Sequence, residues 1–213
     1  VGWGSCDSAA SPARELGYAL ARLPQLTLRY RGRIPTSDRS EVLRRAQKHD
    51  YGLPDQEAWH ASVLEYLAEE EEWLEDNLSR FASAAIHHDL HASNVIMRDG
   101  GLAAVLDFDE LIRAPVVLDV LCTLHSFARR TANCTVRPDL AAALFKAYDE
   151  VRRIPPHERK ALSRLFDLTN ISETASFLAY GASRLQSVRD CHSYSVYLSN
   201  RGSNLAQFLL NNC

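Results

Sequence analysis

A run of polar residues, followed by an apolar segment that ends in aspartate, holds the side chains best suited to chemistry in this sequence. Asp89 lies on a predicted loop, Asn94 follows five residues later, and Asp107 comes directly after Val105-Leu106. In phosphoryl transfer, one carboxylate orients a hydroxyl and takes its proton, while hard oxygen ligands hold magnesium. This set of residue types therefore predicts a base at Asp89 and a magnesium site at Asn94 and Asp107.

The elements that must position these residues begin with a predicted β-hairpin. Two short apolar runs, residues 95–97 and 102–106, are joined by Arg98-Asp99-Gly100-Gly101. Asp-Gly between two such runs favours a tight hairpin turn, because glycine tolerates the positive φ that the turn demands. Asn94 then lies at the entry of the hairpin and Asp107 at its exit, so we expect the two side chains to meet.

Most of the remaining sequence has the apolar spacing of amphipathic helices. Residues 29–55 are polar and predict a loop-rich excursion, and the acidic run 69–72 is interpreted by default as a solvated helix face, with a cation-binding surface as the alternative. The sequence predicts an α+β, mainly α fold wrapped round one or two short hairpins. The predicted helices span residues 12–23, 40–48, 55–78, 118–129, 139–153, 158–185 (as one helix or two) and 195–210.

The composition is that of an ordinary globular protein. The chain has 213 residues, 46% of them hydrophobic, and a net charge of -3, which gives no reason to expect nucleic acid as a partner. No apolar run approaches the roughly 20 residues that span a bilayer, so no membrane partner is expected. Five scattered cysteines without a CxxC pair favour a reduced, cytoplasmic protein.

The run from His87 to Ile96 resembles the catalytic loop of the aminoglycoside phosphotransferase and choline kinase-like superfamily, where the pattern is HGDLHxxNV. Val105-Leu106-Asp107-Phe108-Asp109 is similar to the metal-binding strand end of that family, and residues 113–121 are similar to the stretch after it, commonly GDPxxDLA. The resemblance implies a protein-kinase-like C-terminal lobe, in which a short β-hairpin carries the catalytic and metal-binding loops. It also implies Mg²⁺ as cofactor and ATP or GTP as phosphoryl donor.

Site roles follow from the same resemblance. Asp89 is expected to be the catalytic base, and Asn94 and Asp107 the magnesium ligands. Asp119 is expected to hydrogen-bond the catalytic loop rather than the substrate. The histidines of the run, His87 and His91, fall on positions that shape the loop.

The expected acceptor is a small hydroxylated molecule, and the mild negative charge is compatible with a cationic one. Asp109 and Glu110 could face a substrate ammonium or merely solvent, and Glu173, in an otherwise apolar helix, is a weaker candidate for the same role. One departure from the family pattern stands beside the base, where His88 replaces the usual glycine and adds a side chain.

On the plan of the family, the whole chain, residues 1–213, corresponds to a single C-terminal lobe. It divides into a hinge-like start (1–11), a helical part (12–80), the catalytic loop and metal-binding hairpin (84–110) and a second helical part (111–213), and the N-terminal nucleotide-binding lobe is expected to be absent.

Two functions stay open. The chain is an ATP- or GTP-dependent O-phosphotransferase or its catalytic half, working with a separate N-lobe, or it is a lobe-deleted module that acts by binding without catalysis.

Overall fold

A computed structural model describes residues 6–27, 30, 32–36, 39–127 and 133–201. The helices are α1 (Cys6–Thr27), α2 (Arg39–Ala46), α3 (Gln56–Asn77), α4 (Val117–Phe127), α5 (Pro138–Val151), α6 (Pro156–Gly181) and α7 (His192–Asn200). The strands are β1 (Ser83–Ile86), β2 (Val95–Arg98), β3 (Gly101–Val105) and β4 (Ile112–Pro115). The prediction of a mainly helical α+β fold is confirmed.

The strands form two small antiparallel sheets that frame the catalytic loop. β2 and β3 make the predicted hairpin, and its turn residues Asp99 and Gly100 have φ of 53° and 81°. Two consecutive positive φ values are the signature of the turn that Asp-Gly favours. β1 pairs with β4, from Ser83 opposite Pro115 to Ile86 opposite Ile112. β4 is not among the predicted strands, since a four-residue strand has too little periodicity to detect.

Helix α1 begins at Cys6, before the predicted start at residue 12, so Pro12 lies inside the helix. The helix packs along α5. The two backbones come very close at Gly17, where an added Cβ would lie 2.4 Å from the carbonyl oxygen of Leu144. Glycine at this position is therefore required by the helix–helix contact rather than by a turn.

The hydrophobic core lies between the helices and the inner face of β1. Every residue of α4 from Val117 to His125 is buried, because α5 and α6 both pack against this helix. Trp59 of α3 and Phe166 of α6 are among the largest fully buried side chains. The catalytic loop thus rests on a tightly packed helical base.

The acidic run 69–72 on α3 forms ion pairs with arginines of other helices. Glu70 lies 3.2 Å from Arg164 of α6, and Glu69 lies 3.4 Å from Arg201, just after α7. The default interpretation of this run as a merely solvated face is therefore incomplete, because the run also ties α3 to its neighbours.

The C-terminal helices differ from the predicted ones in extent. α6 is one continuous helix that ends at Gly181, and α7 spans residues 192–200 rather than beginning at 195. The predicted continuation of this helix to residue 210 lies outside the described residues. Among the helices that the structure describes, none combines the length and apolar character needed to cross a bilayer.

Candidate active site

The catalytic loop begins at His87, directly after β1, and its backbone is bonded by Asp119 in the first turn of α4. The Asp119 carboxylate accepts hydrogen bonds from the backbone N–H groups of His87 and His88, at 2.9 and 2.8 Å. Burial raises the pKa of the Asp119 carboxyl, and these two hydrogen bonds partly offset the rise. In this geometry Asp119 contacts the loop backbone and is itself fully enclosed.

The buried imidazole of His87 connects the two halves of the site. Its Nδ1 faces the backbone N–H of Asp89 at 3.3 Å, and its Nε2 lies 2.8 Å from the carbonyl oxygen of Leu106. Because Nδ1 accepts, Nε2 must carry the proton and donate it. The ring also packs against Phe108, with ring centroids 4.7 Å apart. His87 therefore fixes the catalytic loop against the segment that carries Asp107.

The side-chain amide of Asn94 bonds Asp89 through its nitrogen and leaves its oxygen available for a second partner. Its side-chain Nδ2 donates to the carbonyl oxygen of Asp89 at 2.9 Å and to the carboxylate of Asp89 at 3.3 Å. An amide that donates through nitrogen on one side presents its oxygen on the other. The Oδ1 of Asn94 is therefore directed away from Asp89, and amide oxygens are good ligands for a hard cation.

Asp107 lies at the same end of the hairpin as Asn94. The backbone N–H of Leu106 donates to the carbonyl oxygen of Asn94 at 2.8 Å, which extends the β2–β3 ladder to the residue before Asp107. Asp107 has φ of 58° and an exposed side chain. Aspartate tolerates this left-handed conformation better than most residues, and the conformation turns the chain out of the hairpin directly at the site.

His91 contacts the Asp89 carboxylate at the same oxygen as Asn94. Its Nε2 lies 3.4 Å from Oδ2 of Asp89, and its Nδ1 accepts a hydrogen bond from the backbone N–H of Ser93 at 3.3 Å. Since Nδ1 accepts, Nε2 is protonated and faces the carboxylate. Asn94 and His91 thus hold the same oxygen of Asp89.

On the other side of the loop, three charged or polar residues from distant segments form what we call the acceptor wall: Arg39 of α2, His88 and Glu173 of α6. The Nη2 of Arg39 lies 2.7 Å from Nε2 of His88, and Oε1 of Glu173 lies 3.2 Å from the same nitrogen. Burial, more than the positive charge of Arg39, lowers the pKa of His88 to about 3. The imidazole is therefore neutral, and its Nε2 accepts a hydrogen bond from Arg39.

Glu173 is the acidic residue whose environment is most perturbed near Asp89. Burial raises the pKa of its carboxyl to about 7, Asp89 and Glu110 add to the rise, and Arg39 opposes it. Asp89 and Glu110 are thus close enough to Glu173 for their charges to act on its carboxyl. Asp109 is exposed, whereas Glu173 is only partly exposed.

Arg39 was not predicted as a site residue, and no local signal marks it. It follows a polar stretch of sequence and looks like any arginine on a short surface helix. In the structure its side chain is buried and bonds Ser172 as well as His88. A buried arginine becomes recognisable only when the long-range packing of α2 on α6 is known.

The thiol of Cys122 lies near this wall and raises the question of a metal site. Donor atoms of His88, Cys122 and Glu173 all lie within 4.8 Å of one another. The guanidinium of Arg39 already occupies the lone pair of His88 at this point. A permanent positive charge bonded to a would-be ligand disfavours a second cation, so we assign no metal to this group.

Residues 2–154 match the model of the phosphotransferase enzyme family. The chain belongs to this family. The resemblance noted in the sequence is thereby confirmed, although no curated protein sequence matches the chain.

Two solved structures of similar fold give this member of the phosphotransferase enzyme family its structural context. An amicoumacin kinase in complex with AMP-PNP, Ca²⁺ and Ami matches 93% of this chain and 59% of its own, with 14% identity and a TM-score of 0.62. A Plasmodium vivax ethanolamine kinase matches 95% of this chain and 61% of its own, with 13% identity and a TM-score of 0.58. The chain thus spans about three-fifths of these kinases and shares their fold.

Proposed function

We propose that this protein transfers the γ-phosphoryl group of ATP or GTP to the hydroxyl of a small molecule. The observation that carries the proposal is the double engagement of Asn94, whose amide nitrogen holds the Asp89 carboxylate while its oxygen is directed elsewhere. One residue thereby couples a proton acceptor to a cation ligand, which is the arrangement that phosphoryl transfer requires. Membership of the phosphotransferase enzyme family supports the same conclusion.

In the proposed reaction, Asp89 orients the acceptor hydroxyl and takes its proton. Oδ2 of Asp89 is held by Asn94 and His91, which leaves Oδ1 to face the hydroxyl. As the proton moves to the carboxylate, the hydroxyl oxygen forms a bond to the γ-phosphorus. The bond from that phosphorus to the β–γ bridging oxygen breaks, and the nucleoside diphosphate leaves with the electron pair.

The donor set at the hairpin fits Mg²⁺. Asn94 offers an amide oxygen and Asp107 an exposed carboxylate, both hard ligands that leave room for phosphate oxygens and water. When bound there, the ion would neutralise phosphate charge and align the phosphoryl group. The AMP-PNP and Ca²⁺ bound to the amicoumacin kinase support nucleotide and divalent-cation binding by this fold.

Exposed apolar side chains border the proposed metal site. Ile96 on β2 is 42% exposed, and Leu106 and Phe108, on either side of Asp107, are 41% and 38% exposed. An apolar surface beside a phosphate site suits the flat face of a nucleotide base. We propose that the nucleobase of the phosphoryl donor binds on this apolar surface.

The proposed acceptor is a small alcohol that also carries an amine. The charges of Asp89 and Glu110 both act on the carboxyl of Glu173, and such a group of acidic residues favours a cation over an anion. The ethanolamine kinase that shares this fold is named for an amino alcohol, a molecule of this class.

Replacement of the proposed catalytic base, Asp89, tests the proposal. Asp89→Asn keeps the shape and the hydrogen bond from Asn94 but cannot take a proton, so turnover with Mg-ATP and amino-alcohol acceptors should fall by about 10²- to 10⁴-fold. Asp99→Asn in the hairpin turn is a matched control, since asparagine also tolerates the positive φ there, and it should leave turnover unchanged. A near-normal rate for Asp89→Asn would contradict the assignment.

The same exposed apolar surface also fits a second candidate function, a non-catalytic module that binds a partner through Ile96, Leu106 and Phe108. Calorimetric titration of the chain with Mg-ATP separates the two. Heat of binding that disappears in Asp107→Ala supports the phosphotransferase, whereas the absence of nucleotide binding together with the absence of turnover supports the binding module.

A further inference from the structure

The backbone at His88 is in a conformation that its side chain makes costly. Its φ is 71°, in the left-handed region that favours glycine, and β-carbon sterics penalise this region for most other residues. The conformation is enforced by the loop, because the N–H groups of residues 87 and 88 both donate to Asp119. Strain of this kind, next to a proposed base, points to a use for the imidazole itself.

The imidazole is held firmly on the acceptor side of Asp89. Arg39 donates to its Nε2 at 2.7 Å and is itself bonded to Ser172 of α6. Glu173 lies 3.2 Å from the same nitrogen. The His88 side chain is 18% exposed, so it is packed on most sides but not fully enclosed. Its position is thus set by two helices rather than by the loop alone.

Beyond His88 a groove runs between α2 and α6. A cavity of about 330 Å³ is lined by Val42 and Ala46 of α2, by Ala175 and Ala179 of α6, and by the exposed ring of Tyr180. Val42 follows Arg39 by three residues and Ser176, which also lines the cavity, follows Glu173 by three, so the cavity begins about one turn beyond the acceptor wall. Arg39 and Glu173 thus lie at the end of the groove where His88 contacts them both.

We propose that His88, anchored by Arg39, is a specificity-determining residue that limits the size of the acceptor. Its ring fills the space between Asp89 and the α2–α6 groove, so that compact amino alcohols are accepted and the larger, multi-ring ones are excluded. This inference rests on the proposed phosphotransferase function. It assigns to His88 the role of a barrier and to Arg39 that of a positioning residue.

The first test measures acceptor size directly. Rates are compared for ethanolamine as the compact acceptor and kanamycin as the multi-ring one, in the wild-type chain and in His88→Gly, which suits the positive φ. The ratio of kcat/KM for the large acceptor over the small one should rise at least about 10-fold, because removal of the ring opens the groove. An unchanged ratio, with the wild type and His88→Gly both folded by circular dichroism, would overturn the proposal.

A second test needs no turnover, so it separates failure of this inference from failure of the proposed function. Free imidazole is titrated into His88→Gly and followed by thermal denaturation. It should raise the melting midpoint of His88→Gly but not of the wild type, because it refills the space and bonds Arg39. The gain should vanish in His88→Gly/Arg39→Met. No gain in His88→Gly means that the space does not exist as argued.

A third variant guards against a folding defect in His88→Gly. Asparagine tolerates the left-handed region and can still accept from Arg39, but it is smaller than histidine. His88→Asn should therefore give an acceptor-size ratio between those of the wild type and His88→Gly. A ratio equal to that of the wild type, in a folded His88→Asn chain, also counts against the proposal.

Discussion

The two sides of the Asp89 carboxylate are built in different ways. On one side, the base and the proposed metal ligands lie on the continuous segment 87–107, and their contacts are mostly between residues two to five positions apart. On the other side, the acceptor wall is assembled from α2, the loop and α6, so that Arg39 and His88 meet across 49 positions. The first side is fixed by local hydrogen bonds and the second by helix packing.

Because of this difference, the acceptor wall can change independently of the segment that carries the base and the proposed metal ligands. In the segment that carries Asp89, Asn94 and Asp107, Asn94 bonds Asp89 and the backbone of Leu106 bonds that of Asn94, so local hydrogen bonds constrain the segment. The acceptor wall depends on how α2 and α6 sit, and a change in either helix would reshape it without moving the base. Under the proposed function, acceptor specificity can therefore vary while the base and the metal ligands stay constant.

The largest effect, a loss of stability, is expected from replacement of Asp119, which bonds the loop that both sides of the carboxylate share. Asp119→Ala leaves the backbone N–H groups of His87 and His88 buried without acceptors, and each such group costs about 1–3 kcal/mol. We expect the free energy of unfolding, measured with urea at pH 7, to fall by about 2–4 kcal/mol.

The control for this prediction is Asp139→Ala in the first turn of α5. Asp139 is exposed and pairs with Arg137 at 2.6 Å, and exposed ion pairs contribute about 1 kcal/mol or less. If the two variants lose equal stability, Asp119 is an ordinary helix-terminus carboxylate and not the support of the loop.

The segment that could be predicted from the sequence is the one with local order. The Asp-Gly turn predicts the hairpin, and the hairpin in turn brings Asn94 and Asp107 to the same end of β2 and β3. The helical spacing predicts α3 to within one residue at each end. These features depend on residues close in sequence, whose geometry is constrained by backbone sterics and apolar periodicity.

The acceptor wall could not be predicted in the same way. Glu173 was only a weak candidate, and Arg39 was not a candidate at all, because their proximity depends on how α2 packs against α6. β4 was missed for a related reason, since its pairing with β1 spans about 30 residues and four residues give little pattern. Long-range contacts of this kind are decided by the whole core rather than by a local signal.

The acceptor wall makes a prediction about pH. Glu173 has a pKa raised to about 7, so its carboxylate forms as pH rises from 6 to 8. The KM for ethanolamine, whose ammonium group needs that charge, should fall by up to about 10-fold over this range. Glu173→Gln should abolish the dependence, and the neutral alcohol glycerol should show little of it in the wild type. A pH dependence that persists in Glu173→Gln would remove Glu173 from the acceptor site.

Asp167 is the control that α6 itself offers, and it carries the smallest effect. Burial raises its pKa to about 7, as for Glu173, but its charged neighbours are Arg201, Glu70 and Glu69 on the far side of the helix. The folded state holds this proton more tightly than the unfolded state, so the group destabilises the fold as pH rises from about 4 to 7, and the penalty is constant above that range.

Asp167→Asn should therefore raise the free energy of unfolding by about 1–2 kcal/mol at pH 8 and by almost nothing at pH 4. The gain stays below the full value of the pKa shift because the side chain is partly exposed and solvent screens its charge. Urea denaturation at the two pH values measures it, and the KM for ethanolamine should not change. A shift in KM would mean that charge anywhere on α6 reaches the acceptor, and the distinction between its two faces would fail.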